Sequence, residues 1–217
     1  RHEMVSADAA RGVVYMTEDE PDGLLYRFRP HSWGDLSAGD LEALSVSGAD
    51  GTTSWVPVEG LGEPGSPPLR RSAPGATAFP GAEGIARDGD ILYVSTKYDN
   101  RVSRLDLMAS RLTTFWQGAP VGGPDNLAVH PATGNLFVCE DADNMEVVLV
   151  TPDGHADPFL RFVGHDNSEV TGAAFDPSGM RLIVNSQRAP TPTTIGGAAS
   201  RSPYDGIGTT YMVTGPF

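Results

Sequence analysis

Short apolar runs bounded by Gly, Pro, Asn or Asp recur along the whole chain and predict strands joined by tight turns. Val13 to Thr17 and Leu24 to Phe28 read as a hairpin around Pro21-Asp22-Gly23. Leu41 to Val46 reads as a further strand after a turn at Ser37-Ala38-Gly39; a helix over Leu36 to Leu44 is the competing reading, weakened by Gly39. Asp90 to Ser95, Arg101 to Asp106, Leu112 to Trp116, Leu136 to Cys139, Glu146 to Val150, Gly172 to Asp176 and Arg181 to Asn185 follow the same pattern. A loop broken by arginines and prolines then leads to a last strand, Thr209 to Val213. No amphipathic helix interrupts the series, so the class is all-β.

Polar groups recur with the strands. Four segments open on an acid or amide and close on another polar group: Glu3 to Asp19, Glu83 to Thr96, Asp125 to Asp141 and Glu169 to Gln187. The interval is 43 residues from Glu83 to Asn126 and again 43 from Asn126 to Glu169. Roughly 40–45 residues is the period of one four-stranded propeller blade. The expectation is a β-propeller in which the runs 91–95, 135–139 and 181–185 are inner strands. Equivalent blade positions would then bring Glu3, Glu83, Asn126 and Glu169 to one pocket. Residues 57–81 hold six prolines and five glycines and read as an irregular insertion, not a packed element, inside a single region spanning 1–217. At this period 217 residues hold fewer blades than a full propeller, and the chain opens inside its own pattern. A longer parent with upstream sequence is therefore expected.

Charge sharpens the picture. With 28 acidic against 15 basic residues the net charge is −13, which argues against nucleic acid and anionic membranes as partners. One cysteine, Cys139, excludes an intramolecular disulfide and reads as a buried small hydrophobe. No apolar run reaches membrane-spanning length, and no signal peptide is visible. His130 and His155 read as exposed turn residues, while His2 and His165 stand beside acids.

Asp22, Asp88, Asp153 and Asp176 adjoin Gly or Pro and read as turn formers, and Glu18-Asp19-Glu20 is compatible with a solvated loop. Glu83, Asp125-Asn126, Glu140-Asp141 and Glu169 differ because they abut apolar strand ends. A carboxylate there is costly unless paired or metal-bound, and several together repel one another until a proton or a cation intervenes. Oxygen donors favour hard ions such as Ca²⁺, Mg²⁺ or Mn²⁺, with ferric iron also compatible. The alternative is purely structural: acids that cap turns or pair with arginines.

The ordered series His2-Glu3, Tyr15 to Asp19, Glu83-Gly84, Gly123 to Leu127, Val138 to Asp141, Ser168 to Ala173, Asn185 to Gln187 and Tyr211 to Phe217 resembles the PhoX-type alkaline phosphatases across essentially the whole chain. That resemblance implies a propeller carrying Ca²⁺ and Fe³⁺ near its axis, phosphomonoester hydrolysis, and export to the periplasm or the medium. It implies Glu3, Glu83 and Glu169 as metal ligands, with Asp19, Asp125, Asn126 and Glu140 as further candidates. The upstream region that supplies the family's cysteine ligand to iron has no counterpart here, and Cys139 lies in a different motif. Lys97, Arg101 and Arg188 follow strand motifs and are candidates for contacts to phosphate oxygens. The expected partner is a small phosphate ester, met by a monomer. A calcium-dependent lactonase-type propeller and a non-catalytic binding propeller are the rival readings.

Overall fold

The computed structural model describes residues 1–60, 65, 67–141, 144–188, 193–195, 198–200 and 208–217. Among the described residues, eighteen strands and one 3₁₀ turn make an all-β protein of the propeller class, built from successive antiparallel meanders. Cα packing divides it into two compact units, Arg1–Phe115 and Trp116–Phe217.

The first unit opens with β1 (His2–Asp8), β2 (Val13–Glu18), β3 (Leu25–Ser32), β4 (Asp35–Ser47) and β5 (Thr52–Pro57), paired in that order. A second meander follows: β6 (Ala82–Asp88), β7 (Ile91–Thr96), β8 (Arg101–Asp106) and β9 (Arg111–Gln117). Thr52 of β5 bridges Arg111 of β9, so the two blades share one sheet along their last strands, while at the other edge β1 and β2 lie against β6. Between the blades Val13, Tyr15, Leu25 and Leu44 pack with Ile85, Leu92, Val94 and Leu105. Each such side chain removed from water contributes about 1.5–3 kcal/mol.

In the second unit, β10 (Pro124–Val129), β11 (Leu136–Glu140), β12 (Glu146–Val150) and β13 (Ala156–Arg161) form a four-stranded blade. β14 (Val170–Phe175) and β15 (Arg181–Ser186) follow, then the short hairpin of β16 (Thr193–Ile195) and β17 (Ala198–Ser200). β18 (Thr209–Thr214) returns to pair along β15, from Ser186↔Thr209 to Arg181↔Thr214. Phe137, Cys139, Val147, Val170, Leu182 and Val184 are buried together, and Phe137, Phe159, Phe175 and Phe217 meet edge to face.

Several expectations are corrected. The runs 91–95, 135–139 and 181–185 lie in three different sheets, as blades require, but each is the second strand of its meander. The first strands β6, β10 and β14 hold the position facing a neighbouring blade: β6 against β1, and β10 against β14. Ser37-Ala38-Gly39 is not a turn. Register pairs Pro30↔Gly39 and Arg29↔Asp40 carry β4 straight through it, and the reversal falls at Trp33-Gly34. A Cβ on Gly39 would lie 2.4 Å from the Phe28 ring, so glycine lets β4 pass close to β3. The 57–81 segment is irregular, with one 3₁₀ turn at Leu69–Arg71, yet it is packed: Val58, Ala73 and Phe79 are buried. Its residues 61–64 and 66, and most of the loop expected between Arg188 and Thr209, lie outside the described residues.

Candidate functional site

The first strand of every blade breaks register at one place. The irregularity lies between His2 and Val5 in β1, between Ala82 and Ile85 in β6, between Pro124 and Leu127 in β10, and between Thr171 and Ala174 in β14. These bulges contain Glu3, Glu83 and Asp125-Asn126, and in β14 Gly172. An extra residue in one strand of a pair bends the chain and re-aims its side chains, which turns an acid out of the ordinary strand alternation.

Side-chain and backbone donors hold the bulges. Thr17 Oγ1 accepts from Met4 N at 3.0 Å and donates to Glu83 O at 2.6 Å, and Ser95 Oγ accepts from Gly84 N at 2.7 Å. In the second unit Asn126 Oδ1 accepts from Thr171 Oγ1 at 2.6 Å and from Gly172 N at 2.5 Å. Gly172 has φ +62°, and a Cβ there would meet Asn185 Nδ2 at 2.4 Å. The positive φ favours glycine at the bulge, and any side chain there would also have to push the Asn185 amide aside.

Within each unit the bulge acids meet acids from strand ends outside the bulges, and a group of carboxylates results. In the first, Glu3, Asp19 and Glu83 each offer an oxygen within 4.8 Å of the others; in the second, Asp125, Asp141 and Glu169 do the same. Glu83 is 2% exposed, and burial pushes its carboxyl up to about 7 against the pull of Lys97; the charges of Asp19 and Glu3 push it the same way. Lys97 Nζ lies 2.5 Å from Glu83 Oε1. Asp19 Oδ1 is buried without a hydrogen-bond partner among the described residues. In the second group, Glu169 Oε2 accepts from Arg188 Nη2 at 3.0 Å and Glu169 Oε1 from Gln187 Nε2 at 3.2 Å. Asp125 Oδ1 accepts from Asn126 Nδ2 at 2.6 Å.

The expected residues therefore separate into roles. Glu3, Asp19 and Glu83 come together in the first unit, as do Asp125 and Glu169 in the second. Asp141, one of the strand-end acids but not among the named ligand candidates, completes the second group. Glu140, its neighbour, is fully buried and accepts backbone amides from Gly122 at 2.7 Å and Glu146 at 3.0 Å; burial pushes its carboxyl up. Asn126 spends its oxygen on Thr171 and Gly172, which ties β10 to β14 and orients Asp125. Lys97 and Arg188 each contact one acid group, whereas Arg101 pairs with Asp99.

The Glu18-Asp19-Glu20 run is not a solvated loop. Glu18 is buried, accepting from Tyr26 OH at 2.7 Å and Arg70 Nη1 at 2.9 Å, and Arg70 also reaches Glu20 and Asp22. His130 is buried rather than exposed; its Nδ1 lies 3.1 Å from Thr133 N and its Nε2 3.0 Å from Gly179 O. His165 is also buried, with Nδ1 2.7 Å from Ser186 Oγ.

The donor sets fit a hard cation. Six carboxylates in two groups supply oxygen only, and Asp19, paired with Arg1 through Oδ2 at 3.8 Å, keeps a buried Oδ1 that accepts no hydrogen bond among the described residues. They do not supply a thiolate: Cys139 is fully buried, and burial together with Asp125 pushes its thiol up, so it stays protonated.

The profile of the family described as alkaline phosphatase PhoX matches residues 1–110 and 100–190 of this chain. No curated protein sequence matches it. Among solved structures, a luciferin-regenerating enzyme is similar over 99% of this chain and 61% of its own length, with TM-score 0.54 and 17% identity. A gluconolactonase from Xanthomonas campestris aligns over 85% of this chain and 69% of its own, with TM-score 0.46 and 18% identity. A calcium-binding protein, regucalcin, from Agrobacterium tumefaciens aligns over 80% and 53%, with TM-score 0.40 and 18% identity. The chain thus spans less than two thirds of the luciferin-regenerating enzyme, and at such identities the likeness concerns fold alone.

Proposed function

The chain belongs to the PhoX alkaline phosphatase family, and we propose that the full-length protein is a metal-dependent phosphomonoester hydrolase to which this chain contributes two carboxylate groups. The observation that carries the reading is the coincidence of the family match with acids aimed from strand bulges onto Asp19, whose buried Oδ1 has no donor among the described residues. Glu3, Asp19 and Glu83 would hold one hard cation and Asp125, Asp141 and Glu169 another, with Ca²⁺ the ion these donors suit best. A bound cation reverses the local sign, so that an acidic protein accepts a phosphate dianion, and stabilises charge on the phosphoryl oxygens.

The other roles belong to this chain's side chains. Lys97 and Arg188, already at the acid groups, would orient phosphoryl oxygens, with Arg101 available once it leaves Asp99. Asn126 and Thr17 keep the carboxylates aimed. Cys139 offers no thiolate, so it would not serve an Fe³⁺ that needs a cysteine ligand. The 217-residue chain alone would accordingly be weak or inactive. An exported, monomeric protein acting on small phosphate esters, without nucleic acid or membrane as partner, fits this reading. Among the described residues no helix is long and apolar enough to cross a membrane.

Assaying the full-length protein on a phosphomonoester and on a lactone tests the reading. Phosphate release that stops on chelation and returns with metal is expected. Lactone opening without phosphate release overturns it, and so does phosphate release indifferent to chelation.

A further inference from the structure

Lys97 is the sole lysine among the fifteen Lys and Arg residues of the chain, and its ammonium lies against the buried acid of the first group. Elsewhere the protein neutralises acids with arginine: Arg27 on Glu42, Arg70 on Glu18 and Asp22, Arg11 on Asp8. The chemical difference matters. A guanidinium grips a carboxylate with a planar fork and is a permanent partner, whereas an ammonium is a compact, strongly hydrated point charge on a flexible stem. Geometry makes Lys97 exchangeable. Its backbone is fixed, because Lys97 N donates to Gly81 O at 2.9 Å and Lys97 O accepts from Asn100 N at 3.3 Å. Its side chain is 23% exposed while that of Glu83 is 3% exposed, so the ammonium sits at the solvent side of the group and leaves by rotation about its own stem.

We propose that Lys97 is a tethered counter-cation of the Glu3–Asp19–Glu83 group, which a divalent cation displaces from Glu83, freeing the ammonium to face the anion that the cation recruits. Two positive charges cannot share Glu83 Oε1 at contact distance without strong repulsion, so occupancy by one excludes the other. The ammonium offsets the charge of Glu83 while the metal is absent, as Arg1 does that of Asp19, and becomes an anion contact when the metal arrives. Cation and anion binding are thereby linked, each favouring the other. The proposal rests on the metal-site reading above, but its test involves no turnover, so it can fail while phosphatase activity stands.

Calcium binding to the folded 217-residue chain is measured by calorimetry without phosphate, for the natural chain, Lys97→Met and Lys97→Arg, each first checked for native circular dichroism. Removing the competitor should tighten calcium about tenfold or more in the methionine variant, a conservative reading of one charge removed near the site. The arginine fork should weaken it below the natural chain. The ε-amine supplies an independent readout. Acylation of Lys97 by an N-hydroxysuccinimide ester, located by peptide mass spectrometry, should run several-fold faster in saturating calcium. If Lys97 merely props the acids in place, the methionine variant binds calcium more weakly. That result, unchanged affinity, no calcium binding in any variant, or acylation indifferent to calcium would each overturn the proposal.

Discussion

In the first unit the Glu3–Asp19–Glu83 group meets the ammonium of Lys97 at Glu83 and the guanidinium of Arg1 at Asp19; in the second, the Asp125–Asp141–Glu169 group meets the guanidinium of Arg188 and the amide of Gln187 at Glu169. Both groups start from a bulged first strand, yet their support differs. The first is stitched by hydroxyls, with Thr17 Oγ1 joining the β1 bulge to the backbone of Glu83. The second is stitched by an amide, with Asn126 Oδ1 joining the β10 bulge to that of β14. A bulge can thus be locked by whatever short polar side chain the neighbouring strand offers. What both groups share is the carboxylate crowding that the lock enforces.

Four substitutions break or sharpen that comparison. The largest effect is expected at Asp8, where the first unit buries an acid with permanent arginine partners and no metal is called for. Asp8→Ala leaves Arg11 with Asp90 alone and Arg87 with only the Gly89 carbonyl, and loses two hydrogen bonds to a buried carboxylate, so it should cost about 3 kcal/mol in urea denaturation. Burial pushes the Asp8 carboxyl up, but the hydrogen bonds from Arg11 outweigh it and hold it below the ordinary carboxylate range. Its stabilisation is therefore present at neutral pH and is lost as pH falls through that lowered value. Denaturation midpoints of the natural chain should drop between pH 6 and pH 3 by more than those of Asp8→Asn.

Asn126→Ala comes next. It leaves Thr171 Oγ1 and Gly172 N without their acceptor and should cost about 2 kcal/mol. Calcium stoichiometry should fall by the second group's share while the first group's is retained; loss of both would show that the two groups are not separately supported. Thr17→Val is the counterpart in the first unit. It should cost about 1 kcal/mol, measured in the same way, and touch only the first group's calcium. The smallest effect belongs to Arg188→Ala. Its side chain is half exposed, so calcium affinity at the second group should change by less than about threefold. A change as large as that expected at Lys97 would make the two basic side chains equivalent and erase the contrast.

Much of this architecture was legible because blade strands are short, apolar and cut by turn residues. The 43-residue spacing placed Glu83, Asn126 and Glu169 at matching points, and the structure puts Glu83 and Asn126 in corresponding bulges with Glu169 just before β14. The bulges themselves leave no trace in hydrophobic alternation, because the inserted residue is set by pairing with the next strand. That is why the sequence points to Glu140 as the candidate and not Asp141: register opposite Pro124 delivers Glu140 to the amides of Gly122 and Glu146 and leaves Asp141 for the acid group. Asp19 was ambiguous for another reason. Its run looks like a solvated loop until Arg70, 48 residues beyond Asp22, reaches back to pair with Glu18, Glu20 and Asp22. His130 was misplaced because a turn residue can still be buried when another turn, here at Gly179, packs over its ring. Gly39 failed as a turn signal because β3 needed a residue without a side chain beside Phe28.

The central claim is that the grouped acids hold the cation on which hydrolysis depends, and buried Glu83 is where it is tested most directly. Glu83→Gln keeps the size of the side chain and removes the charge that a hard ion requires. In the full-length protein, bound metal by elemental analysis and phosphomonoester turnover should be measured on the same preparation. The account predicts that both fall together, turnover by about 100-fold or more. Unchanged metal with unchanged turnover would contradict it and leave Glu83 a structural acid.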